Sequence, residues 1–109
     1  MDGSTWFRFV GSAGSALPTR PRSLNNNAPC GASNVAWMKG SHPRVSDGIE
    51  SRTICFSANG QQCFSDGFVK HQFNINVATC REGNEQSFYV YQLKKPKDCK
   101  WGGFGYCAE

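Results

Sequence analysis

The chain has 109 residues, of which 39% are hydrophobic and 18% are charged, with six cysteines and a formal net charge of +4. This length fits one domain covering residues 1–109, and the absence of an apolar run of about 18 residues argues against membrane insertion. The basic residues are dispersed rather than clustered, which argues against nucleic acid as a partner.

The first predicted strand is the aromatic segment 6–10, WFRFV. Phe7 and Phe9 share one face of this strand, and the other three residues share the opposite face. The following stretch, 11–27, is rich in Gly, Ser, Pro and Asn and has no hydrophobic periodicity. We therefore predict an irregular surface loop there.

Two short strands are predicted next along the chain. The apolar segment 35–38 precedes Pro43, which lacks the N–H needed to continue a ladder. The segment 49–56, IESRTICF, alternates in the manner of a strand. Asn59 and Gly60 follow it and form the strongest hairpin signal in the sequence.

The cleanest alternation runs from Val69 to Val77, with apolar side chains on one face and Lys, Gln and Asn on the other. The aromatic and branched segment 88–93 is a further strand, joined to it by the polar turn 81–86. No apolar pattern of helical period extends over ten residues. The predicted fold is therefore all-β, a small disulfide-stabilised antiparallel β-sandwich with long irregular loops and little helix.

The six cysteines stand singly, without the close pairs that zinc sites usually need. An even number of dispersed cysteines predicts three disulfides and a secreted, extracellular protein. Since the chain carries no signal-peptide pattern, we expect a mature form. Spacing alone does not choose among the pairings, although the Asn59-Gly60 hairpin signal makes a bond between Cys55 and Cys63 geometrically natural.

Several motifs occur in one order along almost the whole chain. They are WFRFVG at 6–11, AWMKGSHP at 36–43, DGIESR at 47–52, the spacing of Cys55 and Cys63, and an ending that runs from YVYQL at 89–93 to Cys107. Together they resemble the eight-cysteine extracellular domain of uromodulin and of the related pancreatic secretory granule glycoprotein. Each motif is weak alone, but their number and order make the resemblance specific.

Departures from that family pattern bear on the disulfides. The family has one cysteine shortly before the position of Cys30 and another at the position of Gln62, and this chain lacks both. The resemblance implies the pairs Cys30–Cys107 and Cys55–Cys63, which leaves Cys80–Cys99. Compared with uromodulin, the chain also carries extra length at 67–72, at 81–86 and between its last two cysteines.

A glycine-rich aromatic loop at 101–106 suits carbohydrate. Aromatic faces stack on the C–H face of a sugar ring, and glycines let the backbone approach a ligand closely. We predict sugar-binding roles for Trp101, Phe104 and Tyr106, together with Gln86 from the polar turn. The alternative is that the aromatic side chains of this loop pack on the domain's own core.

The polar turn 81–86, REGNEQ, offers two carboxylates and two amides, which are oxygen ligands of the kind calcium takes. We predict Glu82, Asn84, Glu85 and Asp66 as ligands of a Ca²⁺ ion. The alternative is a solvated hairpin tip without a metal.

These features give one leading hypothesis and one alternative. The leading hypothesis is a secreted lectin that binds terminal galactose-type glycans through calcium, as small invertebrate lectins of similar build do. Its support is that the apparent insertions coincide with the ligand-like residues. The alternative is a non-catalytic extracellular structural or protein-interaction module, in which the chain forms homo-oligomers or docks on a neighbouring domain. We expect that the chain is not an enzyme, because no histidine adjoins a candidate nucleophile in the sequence and no phosphate-binding loop motif is present.

Overall fold

The computed structural model describes residues 1–10, 14–21, 34–57, 62–63, 72–95 and 104–109. Its elements are one 3-10 helix, Val45–Asp47, and the strands β1 (Asn34–Lys39), β2 (Glu50–Phe56), β3 (Gln72–Cys80), β4 (Phe88–Tyr91) and β5 (Phe104–Gly105). Within these residues there is no helix with the length and apolarity that a membrane crossing requires.

The strands form a single five-stranded sheet in the order β4-β3-β2-β1-β5. The four long strands pair antiparallel, whereas β5 lies parallel to β1. The all-β class is therefore confirmed. The described strands form one layer, and a second sheet of the predicted sandwich is not among them.

The hydrophobic core lies on one face of this sheet. In β3 the predicted alternation is confirmed, since Ile75 and Val77 are buried while Asn74 and Asn76 are exposed. Part of the opposite face is polar, and there the Thr53 hydroxyl donates to Asn74 Oδ1 at 2.7 Å. Val35 and Cys107 form a second, smaller buried cluster. The buried core side chains are Leu17, Ala36, Met38, Ile54, Phe56, Ile75, Val77, Tyr91 and Leu93.

The N-terminal segment departs from the prediction of a first strand. Phe7 and Phe9 do face the core, and Arg8 is exposed between them, as the alternation predicts. The segment nevertheless forms only two isolated antiparallel bridges, Asp2 with Lys94 and Phe7 with Tyr91. Hydrophobic alternation predicts which side chains of an extended segment share a face. A β-ladder also needs a neighbouring strand that stays within hydrogen-bonding distance along its length.

A cluster around Tyr91 connects three separate parts of the chain. Its hydroxyl accepts the backbone N–H of Leu17 at 3.0 Å and lies 2.7 Å from Nε2 of His42. The His42 ring also stacks on Tyr89, with ring centroids 4.0 Å apart. Because the Tyr91 oxygen already accepts from Leu17, its own proton is available to a neutral His42.

The stability of the fold should fall as the pH drops below about 6.5, the ordinary pKa of histidine. Partial burial, together with the positive charge of Arg52, lowers the pKa of His42 in the folded protein. The unfolded chain then binds the proton more tightly, so stability present above pH 6.5 is lost as the pH falls through the folded pKa. Urea denaturation should show that the free energy of unfolding of the parent chain is lower at about pH 5.5 than at about pH 7.5. This loss should be smaller for His42→Asn. Equal losses in both proteins would contradict this role of His42.

One of the three predicted disulfides is confirmed. Cys55 and Cys63 are bonded, with their Cα atoms 4.9 Å apart. Cys107 is buried and disulfide-bonded, but its predicted partner Cys30 lies outside the described residues. Cys80 is a free cysteine at the end of β3, and Cys99 is again outside the described residues. The pair Cys30–Cys107 therefore stays a prediction, whereas the predicted pair Cys80–Cys99 is not formed in this structure, because Cys80 is free.

Replacing both Cys55 and Cys63 by serine should lower the free energy of unfolding by about 2–3 kcal/mol. The bond closes a short loop, and cross-linking stabilises mainly by restricting the unfolded chain. Urea denaturation would measure the loss, with Ser51→Ala on the exposed face of β2 as a control expected to stay within about 0.5 kcal/mol. A loss no larger than that of the control would show that the cross-link contributes little.

Candidate functional site

A groove of about 480 Å³ opens where β4 begins, between the N-terminal segment and the turn after β3. This volume is in the range of sites that hold small ligands or short peptide segments. Its walls combine two cations, three neutral polar side chains and three aromatic rings. The lining residues are Arg8, Phe9, Ser15, Arg81, Gln86, Ser87, Phe88 and Tyr89.

The groove exists because the N-terminal segment stops pairing with β4. Phe7 and Tyr91 form a doubly hydrogen-bonded pair, with N–H to O distances of 2.8 and 2.9 Å in the two directions. The N–H and C=O of Tyr91 therefore point away from β3. The next residue, Gln92, donates its N–H in the opposite direction, to the carbonyl of Asn76 in β3 at 3.0 Å, as alternation along an antiparallel strand requires.

The same alternation orients the main chain of Tyr89. Lying two residues before Tyr91, Tyr89 directs its N–H and C=O to the outer edge of β4, where Phe9 would be the next partner. No hydrogen bond joins Phe9 to Tyr89, and no other partner for these two groups occurs within the described residues. The groove is lined by both residues, so this short piece of sheet edge is open to a ligand.

Two arginines flank this open edge. The guanidinium carbon of Arg8 lies 4.0 Å from the centroid of the Phe88 ring, a cation–π contact that fixes its position. Nε of Arg81 donates to the backbone carbonyl of Glu85 at 3.2 Å. In the part of the chain that the structure describes, neither arginine forms a salt bridge, and no carboxylate lines the groove. The site therefore carries uncompensated positive charge.

Such an arrangement can hold a peptide in two ways. The open N–H and C=O of Tyr89 can extend the sheet by one hydrogen-bonded pair, which is the basis of strand addition. The guanidinium groups can donate paired hydrogen bonds to a carboxylate.

Three of the four predicted metal ligands are described by the structure, and none of the three lines the groove. Glu82, Asn84 and Glu85 are exposed in the turn between β3 and β4, whereas Asp66 lies outside the described residues. Over the described ranges, no three His, Cys, Asp or Glu side chains are arranged to hold a metal ion. The Ca²⁺ site stays a prediction.

Of the predicted sugar-binding residues that the structure describes, only Gln86 lines this groove. Trp101 lies outside the described residues. Phe104 begins β5, beside Asn34 of β1. Tyr106 packs edge-on against Phe56 and donates its hydroxyl to the Lys94 carbonyl at 2.5 Å. Burial raises the pKa of Tyr106. Its surroundings are those of a core residue, as in the alternative considered from the sequence.

The residues that sequence analysis missed are the two arginines and the edge at Tyr89. An exposed arginine within an aromatic strand-like segment is an ordinary feature, and Arg81 was noted only as part of the polar turn. No sequence signal placed Arg8 and Arg81 in one groove, because this depends on the N-terminal segment running antiparallel beside β4.

A second, more apolar groove of about 460 Å³ lies on the other side of the N-terminal segment. Its lining includes Met1, Phe7, Leu93 and Tyr106, together with the charged Lys95. It shares Arg8 and Phe9 with the first groove, so the N-terminal segment forms the wall between the two.

Comparison with known proteins assigns the chain to a family. The model of the uromodulin-like, eight-cysteine domain matches residues 7–108. The chain is 31% identical over 104 residues to the pancreatic secretory granule membrane major glycoprotein GP2 of Rattus norvegicus, covering 95% of this chain and 17% of that protein. It is 32% identical over 107 residues to uromodulin of Mus musculus, covering 95% of this chain and 14% of that protein.

These matches confirm the resemblance inferred from the motifs and their order. The chain spans only 17% and 14% of the length of these two relatives, so it is comparable to one domain within them. The confirmed disulfide agrees with the extracellular type of these domains. The chain belongs to the uromodulin-like, eight-cysteine domain family.

Proposed function

We propose that this chain is a non-catalytic, extracellular protein-interaction module that binds an extended segment of a partner protein at the open edge of β4. The observation that carries the proposal is the main chain of Tyr89, whose N–H and C=O face a groove instead of a neighbouring strand. Unpaired strand edges are sites at which another chain adds to a sheet.

The family supports this kind of function more than catalysis. Its members in the comparison are much longer proteins, of which a domain of this size is a small part. Strand addition needs no catalytic group, and it exploits the rigid sheet that the Cys55–Cys63 bond and the core stabilise. Secretion into an oxidising compartment is part of the proposal, since the disulfides require it.

Calcium-dependent binding of galactose, the leading hypothesis from the sequence, has less support. Glu82, Asn84 and Glu85 share one exposed turn, and the sugar-binding role given to Tyr106 conflicts with its packing against Phe56. Interaction with a protein, the alternative from the sequence, agrees better with the family and with the open edge.

Amide hydrogen exchange followed by NMR tests the proposal directly. The probe is a capped six-residue peptide of alternating valine and threonine, which has strong strand propensity and no charge. We expect its addition to slow exchange of the Tyr89 amide, because an added strand would accept that N–H.

The matched control is the same peptide with N-methylated amides along one edge, which keeps the side chains but removes main-chain donors. It should protect Tyr89 much less. Unchanged exchange at Tyr89 with the unmethylated peptide at millimolar concentration would refute strand addition at this edge.

A further inference from the structure

We propose that the edge groove selects acidic segments, and that Arg8 and Arg81 are its specificity-determining residues. This inference rests on the proposed function and names the chemistry of the partner. The ligand is an extended peptide that places a glutamate or aspartate beside the residue that pairs with Tyr89.

The geometry gives the register of that acidic residue. Phe88 precedes Tyr89, and its side chain projects to the opposite face of β4 because successive strand residues alternate. The Arg8 guanidinium lies over the Phe88 ring, on that same face. In a strand added beside β4, one ligand residue hydrogen-bonds to Tyr89, and the next ligand residue lies opposite Phe88. The side chain of that second residue therefore points toward Arg8, at the distance usual for cross-strand pairs.

The second cation stands at the same end of the groove. Arg81 directly follows Cys80, whose Cα is the cross-strand partner of Phe88. Arg81 donates through Nε to a main-chain carbonyl, which leaves its terminal amino groups without a partner in the described part of the chain. The groove therefore offers two guanidinium groups to one carboxylate at the start of β4.

Electrostatics favours an acidic ligand over a neutral one. The two cations lack salt-bridge partners in the described part of the chain, unlike Arg44, which contacts Asp47 at 3.2 Å. The carboxylates of Glu82 and Glu85 occupy the neighbouring turn but do not line the groove. A peptide is favoured over an acidic glycan because an extended main chain presents a donor and an acceptor at the spacing that pairs with both open main-chain groups of Tyr89.

Titration with three capped peptides tests the selectivity. They alternate valine with glutamate, with glutamine or with lysine, and binding is followed by amide shifts of Arg8, Arg81 and Tyr89. We expect the glutamate peptide to bind about tenfold more tightly than the glutamine peptide. The lysine peptide should bind least, and the glutamate preference should weaken as salt screens the charges.

Substitutions then locate the selectivity. Arg8→Gln and Arg81→Gln should each weaken binding of the glutamate peptide about two- to fivefold, as expected for partly exposed ion pairs. Binding of the glutamine peptide should change little. Arg44→Gln changes the net charge equally but lies outside the groove, and it should leave both affinities unchanged.

The outcomes separate this inference from the proposed function. Equal affinity of the glutamate and glutamine peptides, with Tyr89 protected by both, would overturn the acidic selectivity and leave strand addition standing. Failure of every peptide to protect Tyr89 would overturn both. If a sulfated oligosaccharide changes the amide shifts of Arg8 and Arg81 and the glutamate peptide does not, the proposed preference for a peptide ligand is wrong.

Discussion

Phe56→Ala should lower the free energy of unfolding by about 3–5 kcal/mol, which is a large part of the stability of a domain this size. The Phe56 side chain is fully buried at the end of β2. Its ring contacts Tyr106 edge-on at 5.6 Å and Phe73 at 6.0 Å. Truncation removes these contacts and leaves a cavity that the surrounding strands cannot close.

Urea denaturation followed by tryptophan fluorescence would measure the loss. Ile49→Ala, just before β2, is the matched control because Ile49 is 62% exposed, and its loss should stay within about 0.5 kcal/mol. If Phe56→Ala fails to fold, Phe56→Leu keeps most of the volume and should cost about 1 kcal/mol. Equal losses for Phe56→Ala and Ile49→Ala would place Phe56 outside the core.

Much of the sheet follows from local pattern, and Phe56 illustrates why. A strand with one buried face needs apolar residues at every second position. That pattern predicted β2 and β3, together with the core face of β3, and the polar turn 81–86 predicted the β3–β4 hairpin. The short strand β5 was not predicted, because two residues of a glycine-rich loop carry no periodicity; it forms because the chain end lies along β1.

The candidate site could not be predicted in this way. Alternation at 6–10 gives correct faces for Phe7, Arg8 and Phe9, but it contains no information on where pairing with β4 stops. The groove depends on that end point, since one further pair would close the edge at Tyr89. Aromatic residues near glycine were assigned to a ligand, and Tyr106 shows that the same composition also builds a core.

Tyr91→Phe should lower the free energy of unfolding by about 1–3 kcal/mol, although it removes a single oxygen atom. The hydroxyl is the acceptor for the backbone N–H of Leu17, at 3.0 Å in a buried position. Without it, that N–H stays buried with no acceptor, and a buried donor left unsatisfied costs its full desolvation penalty. The phenyl ring of the variant would still pack edge-on against Phe9, as the tyrosine ring does at 5.5 Å.

Tyr89→Phe is the matched control. In the described part of the chain the Tyr89 hydroxyl makes no hydrogen bond, and its ring stacks on His42, so the loss should stay within about 0.5 kcal/mol. Urea denaturation gives the energies, and faster exchange of the Leu17 amide in Tyr91→Phe would locate the damage. Unaltered Leu17 exchange together with a small loss would mean that the amide finds another acceptor.

The effect of Tyr91→Phe should extend to the groove. Leu17 lies two residues after Ser15, which lines the groove, and Tyr91 itself forms the last main-chain pair with Phe7 before the edge opens. Loosening the 15–17 segment should therefore weaken binding of the glutamate peptide, whereas Ile49→Ala, which lies outside the groove, should not. A parent-like affinity in Tyr91→Phe would show that the groove's shape depends on the N-terminal pair alone, and not on the hydroxyl that joins Leu17 to the core.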